Sequence, residues 1–188
     1  MGKVIVISFV TLDGVMEDPD GSGGTPHGGW AFRDGPEATA GDKFALGPVL
    51  DTGVLLLGRT TWQLFSGIFA PRTDAFSVKM NAIPKVVASR TLERADDWTG
   101  STVLKGELDV EVTRIKEDRD VVVPGSGSVV EYLAARDLID QYRLLVFPTV
   151  LGRGRRLFAE GTAPVDLKLT AAQAVGGVVR MSYGRKEN

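Results

Sequence analysis

Residues 121–158, VVVPGSGSVVEYLAARDLIDQYRLLVFPTVLGRGRRLF, restrict this chain more than any other stretch. The aliphatic run Val121 to Val123 meets Pro124, the loop Gly125-Ser126-Gly127-Ser128 follows, and apolar residues at Val129, Val130, Leu133, Ala134 and Leu138 recur at helical spacing. The pattern predicts a strand, a loop of small residues, a helix and a second strand. Such a loop leaves backbone N–H groups free at the positive end of a helix dipole, which suits a phosphate. A nucleotide phosphate site is therefore the first expectation, and a tight turn that binds nothing is the competing one.

Two other junctions repeat the arrangement. Val54 to Leu57 reads as a buried strand running into Gly58-Arg59-Thr60-Thr61-Trp62, where Thr60 or Thr61 can cap a helix, and Lys85 to Ser89 as a short strand ending in Ser89-Arg90-Thr91. Each is weak alone. GSGSVV carries two glycines of a dinucleotide fingerprint but Val130 where the third belongs, and it lacks the Gly-Lys-Ser/Thr of a P-loop. Together they say more, because the carboxyl ends of parallel strands share one edge of the sheet. Residues 58–60, 89–91 and 125–128 would then supply two arginines, several hydroxyls and two helix N-termini to a ligand with several phosphates. One charge-assisted bond to a 2′-phosphate, worth about 1.5–3 kcal/mol, favours NADPH over NADH.

The remaining pattern is α/β. Residues 3–10, KVIVISFV, form a continuous apolar run expected as a central strand, and Thr11-Leu12-Asp13-Gly14 turns the chain. Residues 17–32 are too rich in Gly, Pro and Asp for regular structure, a composition usual in binding loops. Glu37 to Leu50 is expected as a weak helix interrupted at Gly41 and Gly47, residues 98–104 as holding a short strand, and Glu107 to Lys116 as a helix. Gly176-Gly177 between Val165–Leu169 and VVRMSY signals a closing hairpin. Strands alternating with helices imply a mostly parallel sheet, with antiparallel strands at its end. One domain spanning 1–188 is expected.

Composition excludes several functions. The chain has no cysteine and a single histidine, His27, so thiol nucleophiles, disulfides and Cys/His zinc sites are out of reach, and no metal is expected. His27 lies in GSGGTPHGGW, remote in sequence from any nucleophile elbow, and reads as a solvated loop residue. A net charge of -2 with both signs interspersed offers no field for nucleic acid. No stretch reaches transmembrane length and no secretory signal is apparent, so the expected location is cytoplasmic.

VLLLGRTTWQLF, KVVASRTL and residues 121–158, in this order after an N-terminal strand ending TLDG, resemble the dihydrofolate reductase-like superfamily. More narrowly, they are similar to its stand-alone members related to the riboflavin-pathway reductase, the RibD C-terminal domain. The resemblance covers nearly the whole chain. It implies a three-layer α/β/α fold with a mixed, mostly parallel sheet and a C-terminal antiparallel hairpin, NADPH as hydride donor, a small nitrogen-heterocyclic substrate and commonly a homodimer. By position it puts Gly58, Arg59 and Thr60 on the cofactor phosphates, Ser89, Arg90 and Thr91 near the adenosine 2′-phosphate, and Gly125, Ser126, Gly127 and Ser128 on the pyrophosphate. Val10 and Asp13 would lie near the nicotinamide and substrate, and Gly152 and Gly154 in a turn close to the substrate. The acidic residue that faces the pterin in dihydrofolate reductases falls at about Asp42, with Glu37 the alternative. On turn chemistry alone Asp13 reads as a turn former; the resemblance instead makes Asp13 and Asp42 the catalytic candidates.

The same likeness implies reduction of the ribosylaminopyrimidine intermediate of riboflavin synthesis as the leading reaction. Weak dihydrofolate or pterin reduction, and a non-catalytic nucleotide- or flavin-binding module, are the alternatives. Departures from the pattern include GSGS where pterin reductases carry a run of glycines, Asp137 where relatives often have glycine, and Gln141 in place of a common acid.

Overall fold

A computed structural model describes residues 1–33 and 35–186. Its strands are β1 (Val4–Thr11), β2 (Val54–Gly58), β3 (Lys85–Ala88), β4 (Ser101–Val103), β5 (Val121–Pro124), β6 (Gln141–Phe147), β7 (Leu167–Val175) and β8 (Val178–Arg185). Its helices are α1 (Val49–Thr52), α2 (Arg59–Phe69), α3 (Ala75–Ala82), α4 (Leu108–Asp118) and α5 (Gly127–Ala134), with a 3-10 turn at Trp30–Phe32. The strands form one mixed sheet in the order β4-β3-β2-β5-β1-β6-β8-β7, the α/β architecture the sequence led us to expect. By contacts the chain falls into two units, Met1–Val6 with Leu46–Asp140, and Ile7–Ala45 with Gln141–Asn188.

In the first unit β3, β2 and β5 are parallel, Gly58 standing opposite Ala88 and Val54 opposite Val121. Leu55, Leu56 and Leu57 are fully buried, as are Val121, Val122 and Val123. Each such side chain contributes about 1.5–3 kcal/mol of transfer free energy, which is why these runs carry no polar residue and become interior strands. Trp62 and Trp98 are core residues, at 1% and 2% exposure, and each indole N–H finds an acceptor: Ser101 Oγ at 2.9 Å and Asn81 Oδ1 at 2.7 Å. Helix α3 follows an N-cap that its sequence announces, Asp74, whose carboxylate accepts from Ser77 N and Ser77 Oγ.

Lys85 opens β3 at 1% exposure. Its ammonium donates to the carbonyls of Asn81 (2.7 Å) and Thr99 (3.0 Å) and lies 4.4 Å from the centre of the Trp98 ring. These contacts offset the cost of burying a charge.

The second unit is a sheet of the latter part of β1 with β6, β8 and β7, in which β6 and β7 both run antiparallel to β8. The hairpin turns at Gly176-Gly177 as the sequence indicates. On one face Phe9 and Phe147 meet edge to face, and Trp30 and Phe44 close over them. The helix expected over Glu37 to Leu50 does not form: residues 36–48 are turns, and only α1 remains at the end. Gly41, Ala45 and Gly47 all have positive φ, which no right-handed helix tolerates.

Candidate functional site

The candidate residues gather in two clusters, one in each unit. In the first unit, the ends of β2 and β5 are joined by a hydrogen bond from the Gly58 amide to Ser126 Oγ at 2.9 Å. Ser126 reaches it from a left-handed conformation, φ 58°, directly before α5, and its carbonyl accepts from Val129 N and Val130 N. The amides of Gly127 and Ser128, the first two of α5, have no acceptor among the described residues and so lie at the positive end of the helix. Arg59 begins α2 beside this loop, exposed and with no ion-pair partner among the described residues. The cap expected from Thr60 or Thr61 is absent, because the helix already begins at Arg59 with Gly58 as its N-cap and both threonines lie within its first turn.

On the next strand, Ser89 follows Ala88 and its hydroxyl accepts from Thr91 N (3.2 Å) and Leu92 N (3.0 Å), so the Ser89-Arg90-Thr91 turn is closed by its own side chain. Arg90 projects exposed from it. The three junctions therefore share the carboxyl edge of β3-β2-β5, with Gly58 between the other two. Two free helix amides, two exposed guanidinium groups and the hydroxyls of Thr60 and Ser128 fit a ligand bearing several phosphates.

The second cluster surrounds the end of β1. The Asp13 carboxylate accepts from Thr11 Oγ1 (2.6 Å), Leu151 N (3.2 Å) and Gly152 N (2.8 Å), and Arg156 lies 3.6 Å away. Arg156 also donates to the Asp13 carbonyl. The Thr11 hydroxyl, followed by the Gly152 amide, holds the Asp13 carboxyl down at about 2. Asp13 is thus ionised at neutral pH, and its oxygens are engaged in tying the 149–157 segment to the turn after β1. Further bonds join the same segments, Leu12 N to Thr149 O at 2.9 Å and Leu157 N to Gly14 O at 3.0 Å.

Gly152 is therefore an Asp13 ligand. Gly154, with φ 107°, stands where a Cβ would meet Val15 Cγ1 at 2.8 Å, Glu17 Oε2 at 3.0 Å and His27 Nε2 at 3.1 Å. His27 Nε2 lies 3.3 Å from Glu17 Oε2, and its Nδ1 is buried without a partner, so this histidine is packed in the loop instead of solvated. Asp42 sits half-buried in the turns of 36–48, where its carbonyl accepts from Ala45 N at 3.0 Å; Glu37 is exposed. Val10 is buried, 5% exposed, and lines an apolar cavity of about 270 Å³ with Thr11, Leu144, Leu157 and Met181. The cavity residues on β6 and β8 went unnoticed in the sequence, although Tyr142, Leu144 and Val146 alternate along one strand. Among the described residues no group of three or more His, Cys, Asp or Glu side chains could hold a metal, and no helix is long and apolar enough to cross a membrane.

The family model of the RibD C-terminal domain matches residues 2–181. This chain belongs to the RibD C-terminal domain family. YyaP of Bacillus subtilis strain 168, described as uncharacterized, is 26% identical to this RibD C-terminal domain protein over 96% of this chain and 94% of its own. A protein from Shewanella sp. PV-4 assigned to riboflavin biosynthesis superimposes with a TM-score of 0.73 at 21% identity, over 98% of this chain and 99% of that one. Dihydrofolate reductase from Enterococcus faecalis, solved with NADP(H), superimposes with a TM-score of 0.59 at 15% identity, over 99% and 98% of the two chains. The RibD C-terminal domain of this protein has the dihydrofolate reductase-like fold.

Proposed function

We propose that this RibD C-terminal domain protein is an NADPH-dependent reductase that transfers hydride to a small nitrogen-heterocyclic substrate. The leading case is reduction of 5-amino-6-(5-phosphoribosylamino)uracil. The observation that carries the reading is the Gly58 to Ser126 bond, which locks two strand-to-helix junctions together beside unpaired amides and an exposed arginine. In this assignment Gly127 and Ser128 donate to the pyrophosphate, Arg59 and Thr60 bind further phosphate oxygens, and Arg90 beside Ser89 pairs with the 2′-phosphate. The nicotinamide supplies the hydride. Val10, Asp13 and the loop that Asp13 holds, with Gly152 and Gly154, shape the substrate end, and Asp42 is the remaining carboxylate candidate there. The protein's contribution is chiefly positioning. Asp13, its carboxyl held down at about 2, is ionised at neutral pH and cannot donate a proton there, so the proton that accompanies hydride is left to water.

Weak pterin reduction and a binding module without chemistry are the rival readings, the latter favoured by the engagement of Asp13 in the turn. Thermal-shift titration with NADPH, NADH, FMN and ATP, followed by nicotinamide oxidation in the presence of the aminopyrimidine or dihydrofolate, separates them. Stabilisation by NADPH above NADH, and turnover with the aminopyrimidine, are expected. Absence of any stabilisation by NADPH at millimolar concentration rejects the reductase reading.

A further inference from the structure

Three carboxylates follow β1 within the second unit, and two of them are engaged by backbone. Asp13 holds the 149–157 segment. Asp18 organises the loop that comes next: its carboxylate accepts from Gly23 N (2.7 Å), Thr25 N (2.9 Å) and Thr25 Oγ1 (2.8 Å), and its carbonyl from Gly29 N (3.0 Å). Glu17 differs from both. Among the described residues its carboxylate meets one group, His27 Nε2 at 3.3 Å from Oε2, and Oε1 has no protein partner.

The chain fixes both members of this pair. Glu17 follows the bridge between Val15 and Arg156 and the bond from Met16 N to Arg155 O at 2.8 Å. The Glu17 carbonyl accepts from the Trp30 indole N–H at 2.8 Å, and that ring is 1% exposed and packed on Phe147. His27 is placed by the Asp18 loop, in which Gly28 N donates to Thr25 O and a Cβ on Gly28 would collide with Asp18 Oδ2. Arg33 donates to the His27 carbonyl and leaves the ring alone. Gly154 closes over the pair, with room for no side chain above Glu17 Oε2 and His27 Nε2.

His27 Nδ1 is buried without a partner. A proton on it would be a stranded N–H, so the neutral ring carries its proton on Nε2, where Glu17 accepts it. The imidazole is thus the orienting member, 17% exposed, and the carboxylate the outward one, 37% exposed.

We infer that Glu17, oriented by His27, is the acid that passes a proton from water to the substrate beside the site of hydride addition, which rests on the reductase reading and on the place it gives to Gly154. As the carbon of a C=N bond receives hydride, its π electrons go to the nitrogen. That nitrogen takes the proton of the Glu17 carboxyl, whose O–H bond breaks. The His27 N–H stabilises the carboxylate left behind, and water restores the proton at the open oxygen. Glu17 is the catalytic residue here and His27 a positioning residue.

Steady-state oxidation of NADPH with the aminopyrimidine or dihydrofolate, over a range of pH, tests this. Glu17→Gln is expected to lose roughly a hundredfold or more in kcat and to flatten the pH dependence. Its Kd for NADPH and its circular dichroism spectrum stay those of the wild type. Asp20→Asn, in the same loop and bonded only to Ser22, keeps the wild-type rate. His27→Leu lowers kcat more than His27→Gln, whose amide can still donate; equal losses in the two overturn the positioning role. A wild type that reduces neither substrate rejects the reductase reading and this inference with it, whereas an active wild type matched by Glu17→Gln overturns the inference alone. If Glu17→Gln does not fold, Glu17→Asp, which withdraws the carboxyl by one methylene, must lose at least tenfold in kcat, and an unchanged rate overturns the inference. Because His27 is the chain's single histidine, its ring nitrogens can also be followed by NMR without turnover. Their shifts are expected to move in Glu17→Gln and not in Asp20→Asn, and shifts unmoved by Glu17→Gln overturn the pairing.

Discussion

The amide of Gly58 and the hydroxyl of Ser126, 68 residues apart in the chain, are joined at 2.9 Å across the ends of β2 and β5. Ser126 makes the bond from a left-handed conformation that few non-glycine residues adopt. Ser126→Ala keeps that strain and leaves the Gly58 amide without an acceptor, at a cost of about 1–2 kcal/mol in urea denaturation. Ser126→Gly relieves the backbone but also loses the bond, and is expected to be the milder change. If the phosphate assignment holds, both weaken NADPH in calorimetric titration.

Arg59 and Arg90 are exposed and have no ion-pair partner among the described residues, so their removal leaves the fold intact. Replacing Arg90 with Ala is expected to weaken NADPH by roughly ten- to a hundredfold while changing NADH little, because only NADPH carries the 2′-phosphate that the guanidinium would bind. Arg59→Ala should weaken both cofactors. Competitive titration of the two against each variant checks this, and equal losses at Arg90 reject its pairing with the 2′-phosphate.

Asp13 gives an acid-stability prediction. Its carboxyl is lowered from 3.8 to about 2 in the folded protein, foremost by the Thr11 hydroxyl. The unfolded state therefore binds more protons in that window, and the stability Asp13 contributes is present above the ordinary carboxylate value and is lost as pH falls toward 2. In Asp13→Asn this part of the pH slope disappears, and the 149–157 segment loosens at neutral pH because Leu151 N and Gly152 N lose an ionised acceptor. Urea midpoints across that range, with hydrogen exchange at Gly152, measure both effects.

Lys85 predicts the opposite end of the pH scale. Burial pushes its ammonium down from 10.5 to about 8, so between those values the folded state binds fewer protons than the unfolded one. Stability is expected to rise with pH across that interval as the cost of the buried charge is removed. In Lys85→Met the rise is absent, while Asn81 and Thr99 are left with carbonyls that have lost a donor. Thermal melts through the alkaline range distinguish the two proteins; a wild-type curve flat from pH 8 upward contradicts the assignment.

Much of the architecture was legible because local rules and packing agreed. VIVISFV, apolar but for Ser8, and VLLLG and VVVP became interior strands, and the hairpin turned at the glycine pair. Where they disagreed, reading failed. Residues 37–50 hold apolar residues at helical intervals, yet Gly41, Ala45 and Gly47 adopt positive φ and the segment is pinned as turns, in part by Arg143 and Arg180 donating to the carbonyls of Ala45 and Lys43. Helix α3 was not foreseen although Asp74 and Ser77 mark its start. The burial of Lys85 was not legible, since the Thr99 carbonyl and the Trp98 indole that receive its ammonium are brought to it only by the fold.

By itself the sequence determined the strand runs of the first unit, its helices α2, α4 and α5, and the order of the three small-residue junctions, because periodicity and glycine placement are local properties. The parallel sheet then had to bring those junctions to one edge. Only the tertiary structure decided that Ser126 bridges to Gly58, that Asp13 serves the 149–157 loop, and that His27 packs against Gly154. Each of these depends on groups 68, 139 or 127 positions apart, by the numbering of the bonded or touching residues, meeting within hydrogen-bond or van der Waals reach. Contact of that kind is set by how strands pair and loops close, and no window of the chain contains it.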